Sequence, residues 1–373
     1  MNDRENAMAI LNYQKYDRLP IVHFAFWEET ALKWANEDHI SIEEARDHNL
    51  IARKLGFDFD WFTTAQPVTG MNALFPAFTQ DVVEVRPDGS YTVLDGYGVL
   101  ILQKPDATGI PPELDHLLKD RKSWEEHFKP RLQFSKNRID HQLLDTLKEI
   151  KDVKDDHART QPVGLYCGSL MGEIRNCLGV VGLSYIVVDD EALLDEIVET
   201  FGDLYYQIVE YSLAYGAKFD FGHFWEDICY KNGPLVSPVL FRRKIGPQYR
   251  RICDLLRRYG IDIVSLDCDG KIDALIPTWL ENGVNTMFPI EVGVWDGNIK
   301  PWREKYGKQI RGVGGMDKKV FAYDYKAIDQ EIERLKSLVD LGGFIPCPDH
   351  RIAPDAKWEN VQYYCERMRK IFG

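Results

Sequence analysis

The apolar residues of the chain follow two alternating patterns, short strand-like runs and longer helical ones. Strand-like runs begin near residues 21, 57, 163, 219, 261, 284, 310 and 344. They are rich in β-branched and aromatic residues, which is typical of buried strands. Helical spacing of apolar residues fills all but one of the intervals between them, as in residues 41–55, where Ser41 and Glu44 form a capping-box pattern.

Eight strand and helix units in succession predict a TIM (β/α)8 barrel that forms a single domain over residues 1–373. Residues 81–104 interrupt this alternation of strands and helices. Two strand-like runs flank a turn at residues 86–90, and a third strand-like run follows. This order predicts an antiparallel hairpin insertion that is separate from the barrel strands. Residues 111–156 are highly charged with helical spacing, and we predict a solvated helical face there.

Composition narrows the classes of partner. The chain has 46 Lys and Arg residues and 59 Asp and Glu residues, which gives a formal charge of −13. This negative charge does not favour binding to nucleic acid or to an anionic membrane. No apolar run reaches the length of a membrane span, and the charged start of the chain has no signal-peptide core. Seven scattered cysteines indicate reduced thiols. We therefore expect a cytoplasmic protein that acts on a small molecule.

Two carboxylates follow the strand near residue 261. Asp267 and Asp269 are one residue apart, so in a strand they point to the same face, and Gly270 follows them. Like charges at this spacing repel unless a cation or a shared proton joins them. The alternative for Asp269 is a local turn in which its side chain accepts backbone hydrogen bonds.

The carboxyl ends of all eight predicted strands would open onto one mouth of the barrel, where such folds place their chemistry. The residues at those ends are rich in metal-ligand types and in aromatics: Trp27, Glu28, Asp60, Trp61, Cys167, His223, Trp225, Glu226, Asp227, Asp267, Cys268, Asp269, Glu291, Met316, Asp317, Cys347, Asp349 and His350. A single histidine is more often a hydrogen-bonded loop residue, and a single tryptophan is more often core. Their convergence favours a site.

From about residue 218 onward the sequence resembles the uroporphyrinogen decarboxylase superfamily, which contains decarboxylases and cobalamin- or corrinoid-dependent methyltransferases. Residues 225–228 with residues 233–238 resemble its fourth-strand motif. The Asp267–Gly270 stretch lies where the methyltransferases have His-x-Cys-Gly. Residues 347–355 lie where they have a second zinc cysteine and where the decarboxylases have a histidine. The first half matches only by strand placement.

One departure argues against a porphyrinogen substrate. Residues 24–29 are aromatic and acidic, whereas the decarboxylases have arginines there that bind the carboxylates of the substrate. The carboxylates of a porphyrinogen would have no positively charged partners at residues 24–29, and burying them there would be unfavourable. By position, the resemblance implies that Asp267, Asp269 and His350 bind zinc, with Glu226 as a fourth ligand. This oxygen-rich set suits a metal that acts on an ether or phenol oxygen.

The resemblance implies the substrate-specific methyltransferase of a corrinoid-dependent O-demethylase, of the kind that anaerobes use on aryl methyl ethers. Cobalamin would be supplied by a separate corrinoid-binding protein, since the sequence lacks an Asp-x-His-x-x-Gly motif. The residues expected to be catalytic are His350, Asp269 and Glu226. Those expected to bind the substrate are Trp27, Phe24, Trp61, Trp225 and His223.

Two other classes remain open at this point. One is a decarboxylase or lyase of the same superfamily that acts on a small carboxylic acid, with His350 as the proton donor. The other is a binding barrel whose catalytic site has decayed. Metal analysis separates the methyltransferase from the binding barrel, and incubation with methoxyaryl compounds and a cob(I)alamin carrier separates it from the lyase.

Overall fold

The computed structural model describes residues 1–105, 109–152 and 159–373. Its strands, in chain order, are β1 (Val22–His23), β2 (Phe59–Asp60), β3 (Ala65–Gln66), β4 (Asp81–Val85), β5 (Tyr91–Leu94), β6 (Val99–Gln103), β7 (Glu113–His116), β8 (Gly164–Tyr166), β9 (Phe221–Trp225), β10 (Cys229–Tyr230), β11 (Gly233–Pro234), β12 (Val264–Asp267), β13 (Thr286–Ile290), β14 (Arg311–Met316) and β15 (Phe344–Pro348).

Helices separate most of these strands. In chain order they are α1 (Asp3–Leu11), α2 (Glu28–Asn36), α3 (His48–Leu55), α4 (Arg121–Ser123), α5 (His141–Asp152), α6 (Gly172–Asp189), α7 (Glu191–Tyr215), α8 (Pro238–Lys244), α9 (Gly246–Arg258), α10 (Ile276–Glu281), α11 (Val292–Trp295), α12 (Ile299–Tyr306), α13 (Tyr325–Val339) and α14 (Trp358–Phe372). Among the described residues, no helix combines the length and the apolar character needed to cross a membrane.

A parallel sheet of seven strands organises the fold, in the spatial order β15, β14, β13, β12, β9, β8, β3. Its neighbours are all parallel, so the carboxyl ends of the strands lie at one edge of the sheet. The crossover segments pass through helices, as parallel strands require. The protein is therefore an α/β fold around a central parallel sheet, as the sequence predicted.

The second predicted strand, residues 57–62, is observed as the short strand β2, and the separate strand β3 follows it. Phe59–Asp60 pairs with β1, and Ala65–Gln66 pairs with β8, with a short 3-10 turn between the two strands. An isolated bridge joins Phe26 to Ile352, across from the end of β15. All eight predicted strand positions are therefore confirmed as strands. Closure of the strands into one continuous eight-stranded barrel stays a prediction.

The predicted antiparallel insertion is confirmed. The strands β4, β5, β6 and β7 form their own antiparallel sheet in sequence order, with Tyr91 paired to Val85 on one side and Gln103 on the other. The insertion is larger than predicted, because β7 adds a fourth strand at Glu113–His116.

The prediction of a helical segment over residues 111–156 is confirmed in part, because β7 occupies its start and helical turns of several kinds occupy most of the rest. After β7 the chain forms α4, the π-helical turn Trp124–Phe128 and the 3-10 turn Lys129–Leu132, and a longer regular helix begins at His141. The side chains of Trp124 and Phe128 are fully buried, so this part of the segment is packed against the protein and is not the solvated face that the charge pattern predicted. Residues 153–156 of this prediction lie outside the described residues.

The inner face of the sheet is filled by aromatic side chains. The Trp61 ring stacks on Phe221 with 4.7 Å between ring centroids, and its Nε1–H donates to the Ser265 hydroxyl at 3.2 Å. All three residues are fully buried. Such a packed interior makes the carboxyl edge of the sheet, above this layer, the open place for a site.

Candidate functional site

Three aspartates meet at the carboxyl edge of the sheet. Asp267 is the last residue of β12, and it lies in register with Trp225, the last residue of the neighbouring strand β9. Asp227 follows β9 by two residues and Asp269 follows β12 by two residues. One carboxylate oxygen from each aspartate lies within 4.8 Å of the others. The register of the two strands therefore creates a three-carboxylate cluster.

Backbone conformation sets the direction of these side chains. Asp227 has a left-handed backbone (φ 41°), which turns its side chain toward β12, and its Oδ1 accepts a hydrogen bond from the Asp269 amide at 3.1 Å. Gly270 is also left-handed (φ 85°), and its amide donates to Glu291 Oε2 at 2.5 Å. These two bonds hold the turn after β12.

The electrostatics of the cluster are unfavourable for three bare carboxylates. Asp267 is 3% exposed, and burial, with the charges of Asp227 and Asp269, raises the pKa of Asp267 well above its ordinary value. Burial and the Asp269 charge raise the pKa of Asp227 to about 7. The same two causes raise the pKa of Glu291 to about 7. The cluster must hold protons or a cation near neutral pH.

His350 borders the cluster, as the sequence predicted for a residue at the end of the last strand. Its Nε2 lies 3.3 Å from Asp269 Oδ2. The imidazole stacks on Trp27 with 5.7 Å between ring centroids, and Phe24 lies against it at 5.3 Å. The structure thus brings together two of the predicted substrate-binding aromatics with the predicted catalytic histidine.

The donor set fits a divalent cation. The second oxygen of Asp269, Oδ1, is buried with no hydrogen-bond partner among the described residues, and a buried acceptor without a partner is costly. Oxygen atoms that bind one cation at about 2.0–2.2 Å lie at most about 4.4 Å apart, close to the size of this cluster. Asp227, Asp267 and Asp269 are therefore the residues that could hold a metal, with His350 beside them.

Glu226 lies apart from the cluster. Its buried carboxylate accepts the backbone N–H groups of Leu170 at 2.9 Å, Met171 at 2.8 Å and Gly172 at 2.7 Å, and it also accepts the Tyr249 hydroxyl. These bonds anchor the first turn of α6, where a negative charge is favoured. Metal binding by Glu226 stays a prediction, and it is the adjacent Asp227 whose carboxylate lies in the cluster.

The Asp349 carboxylate also accepts hydrogen bonds from backbone amides. Its Oδ2 accepts the amides of Val292 at 2.9 Å and Gly293 at 2.7 Å, directly after Glu291. The Lys318 ammonium lies close by and donates to the Arg351 carbonyl at 3.0 Å. These contacts fix the segments that present Glu291 and His350 to the cluster.

The other predicted substrate-binding residues lie at different distances below the carboxyl edge of the sheet. Trp225 is half-buried at the end of β9, beside Asp267 in the sheet register. Trp61 lies in the packed layer below, bonded to Ser265, and is not brought to the cluster. His223 is fully buried and lies in register with Ser265, the hydrogen-bond partner of Trp61. The aromatics that border the cluster are therefore Trp27, Phe24 and Trp225.

Comparisons with known proteins bear on the fold. No family model matches the sequence, and no curated protein matches it. Among solved structures, the chain is similar to a methyltransferase from Methanosarcina mazei, with 15% identity over 99% of this chain and 98% of that chain and a TM-score of 0.58. It also aligns with a provisional vitamin-B12 independent methionine synthase from Listeria monocytogenes (12% identity, 96% and 97% of the chains, TM-score 0.42). The first likeness shows that the two proteins share a fold.

The bonding of Glu226 predicts a structural phenotype. We expect Glu226→Ala to lower the free energy of unfolding by about 2–4 kcal/mol, because three buried amides and the Tyr249 hydroxyl lose a charged acceptor. Urea unfolding measures this, with the exposed Glu199→Ala as the matched control that changes stability by less than about 0.5 kcal/mol. Equal stability of the two variants would contradict this account of Glu226.

The raised pKa values predict how stability depends on pH when divalent cations are chelated. Asp227 and Glu291 titrate near pH 7 in the folded state and near their lower ordinary values when unfolded. The folded protein therefore binds more protons over that interval, and its stability falls as pH rises through about 7. We expect the thermal midpoint in EDTA to drop between about pH 5 and about pH 8, and Asp227→Asn to reduce the drop. A drop of the same size in Asp227→Asn would show that Asp227 is not the titrating group.

Proposed function

We propose that the protein is a methyltransferase of the uroporphyrinogen decarboxylase superfamily. It moves a methyl group from a small methylated substrate, an aryl methyl ether, to the cob(I)alamin of a separate corrinoid protein in the cytoplasm. The observation that supports this proposal most is the cluster of three aspartates and His350, bordered by aromatic rings, at the carboxyl edge of the parallel sheet. The shared fold with a protein described as a methyltransferase agrees with it.

The proposal takes the sheet as a closed (β/α)8 barrel whose mouth is the carboxyl edge. A mouth that is open to solvent suits a methyl acceptor delivered by another protein. His350 is about one-fifth exposed and Asp269 about one-third exposed, whereas Asp267 beneath them is buried. The cluster therefore presents its outer members to an incoming partner and keeps its inner member away from water.

The aromatic rings position the substrate. Trp27 and Phe24 both pack against the imidazole of His350, and Trp225 lies beside Asp267 in the sheet register. An aryl ring that stacks between these walls has its ether oxygen near the carboxylates and His350. This arrangement supplies the orientation on which a displacement at a methyl carbon depends.

Breaking an aryl ether bond requires stabilisation of the departing phenolate oxygen. Asp227, Asp267 and Asp269 would hold a divalent cation, which we expect to be zinc. A bound cation supplies Lewis acidity toward an ether oxygen. His350, oriented by its bond to Asp269 Oδ2 and by the Trp27 stack, donates a proton to the phenolate oxygen as the methyl group leaves.

A second candidate function is proton transfer without a metal. The carboxyls of Asp227 and Glu291, with pKa values raised to about 7, are partly protonated near neutral pH and could act as acid and base. This pair favours the decarboxylase or lyase on a small carboxylic acid, with His350 as the proton donor. Dependence on a divalent cation separates the two functions.

The methyltransferase proposal predicts an activity that His350 supports. We expect the protein, incubated with methoxyaryl compounds and a corrinoid protein reduced to the cob(I) state, to form methylcobalamin, followed by its absorbance. His350→Ala should lower this rate by about two to four orders of magnitude, the range of a positioned acid. The thermal midpoint should change little, because the imidazole is partly exposed.

The exposed His127→Ala is the matched control and should keep the full rate. Chelation of divalent cations should abolish methyl transfer, and added zinc should restore it. Decarboxylation of a small acid that persists in EDTA, with no methylcobalamin formed under any condition, would replace the methyltransferase with the lyase.

A further inference from the structure

A basic cavity lies at the amino edge of the parallel sheet, opposite the carboxylate cluster. It has a volume of about 620 Å³ and lies where β13 and β14 begin, next to the last residues of α9 and α12. Among the described residues, its lining includes three cationic side chains, Arg257, Lys308 and Arg311, and no acidic one. The whole chain has a formal charge of −13, so its composition does not account for this local excess of positive charge.

The excess of positive charge continues around the ring of Tyr13, next to the cavity. Three cations pack on this one ring, with Arg303 at 4.8 Å, Lys308 at 5.3 Å and Arg311 at 5.4 Å from its centroid. Both arginines donate hydrogen bonds to backbone carbonyls. Within the part of the chain that the structure describes, none of the three cations forms an ion pair with a carboxylate.

The cations cannot relieve their repulsion by losing protons. Burial lowers the pKa of Arg303 and of Arg311, and the Arg303 charge contributes to the lowering at Arg311. Arginine nevertheless keeps its charge at neutral pH. Two acids act from outside the cavity, since Asp254 pairs with Arg257 at 2.7 Å and the exposed Asp262 acts on Arg311. A bound anion would offset the charge that remains.

The alternative is that the cations only cap the ends of helices, where positive charge is favourable. Arg303 fits this role, because its guanidinium donates to the carbonyls of Leu341 and Gly342, just after α13. The cations that line the cavity do not. The Lys308 ammonium and one Nη of both Arg257 and Arg311 have no hydrogen-bond partner in the described ranges. The donors left over from backbone bonding are therefore those that line the cavity.

The lining indicates a ligand that carries phosphate and an aromatic ring. Guanidinium groups match phosphate oxygens with two parallel hydrogen bonds, and lysine adds a point charge. The volume lies within the range of sites for small organic molecules, about 300–1,000 Å³, and exceeds what a phosphate ion alone fills. The half-buried Tyr306 also lines the cavity and offers a ring for stacking.

We propose that this cavity binds a phosphate ester with an aromatic ring, such as a nucleoside diphosphate. The phosphates contact Arg257, Lys308 and Arg311, and the ring stacks on Tyr306. The site is separate from the carboxylate cluster, because Arg311 begins β14 and the length of that strand, Arg311–Met316, leads to the carboxyl edge. Binding therefore requires neither a metal at the cluster nor a corrinoid protein.

Calorimetric titration of the whole protein in EDTA tests the site, because chelation removes any binding through a metal at the cluster. The probes are adenosine diphosphate (ADP), pyrophosphate and adenosine. We expect ADP to bind at one site per chain, pyrophosphate to bind more weakly, and adenosine to bind at least about 10-fold more weakly than ADP, since it lacks the charges. The affinity for ADP should fall as salt is added.

Lys308→Glu should weaken ADP binding by at least about 10-fold, because a charge-assisted contact becomes a like-charge repulsion. Arg257→Gln should weaken it in the same direction. Both side chains are exposed and neither donates to the backbone, so the thermal midpoint without ligand should stay near that of the wild type. The matched control is Lys326→Glu on the exposed side of α13, which makes the same change in net charge and should keep the affinity.

The inference is overturned if ADP does not bind, or if adenosine binds as tightly as ADP. It is also overturned if the two cavity variants bind ADP as the wild type does, which would place the ADP elsewhere. Equal affinities for pyrophosphate and ADP would remove the contact with Tyr306 and overturn the assignment of an aromatic ligand. The methyl-transfer assay has no part in this test, so the proposed function and the anion site stand or fall separately.

Discussion

The crowding of carboxylates at one edge of the sheet is the constraint on which the site depends. One carboxylate oxygen from each of Asp227, Asp267 and Asp269 lies within 4.8 Å of the others. The charge of Asp269 also raises the pKa of the nearby Glu291. Three bare negative charges cannot share a partly buried space at neutral pH without protons or a cation. The fold maintains this arrangement through strand register and two left-handed residues, Asp227 and Gly270. Crowded, buried carboxyls with raised pKa values are typical of functional sites.

The acidic residues around the sheet edge divide into two groups by their partners. Glu226 and Asp349 accept backbone amides and hold the segments after β8 and β13, while Glu291 holds the turn after β12 through the Gly270 amide. Asp267 and Asp269 keep oxygens for the cluster, and Asp269 Oδ1 has no partner among the described residues. Acids of the first group make the geometry rigid, and acids of the second supply donors. This division is how a fold presents a preorganised site on firm supports.

The sequence predicted the strand positions and the closeness of Asp267 and Asp269, because period-two alternation and turn residues are local signals. It did not predict that Asp227 lies with Asp267 and Asp269. Strand alternation cannot reveal the direction of a residue with a left-handed backbone (φ 41°), which depends on the hydrogen bond from Asp269. The solvated face predicted over residues 111–156 was wrong for a similar reason, since the burial of Trp124 and Phe128 depends on tertiary packing.

The central claim is that Asp227, Asp267 and Asp269 together bind one divalent cation. Anomalous diffraction from crystals grown with zinc, with data collected on both sides of the zinc absorption edge, tests it most directly. The account predicts one strong peak at about 2.0–2.2 Å from an oxygen of each aspartate, with His350 beside it. It is contradicted if zinc-saturated crystals show no peak at the cluster and the carboxyl oxygens instead lie within hydrogen-bonding distance of one another, sharing protons.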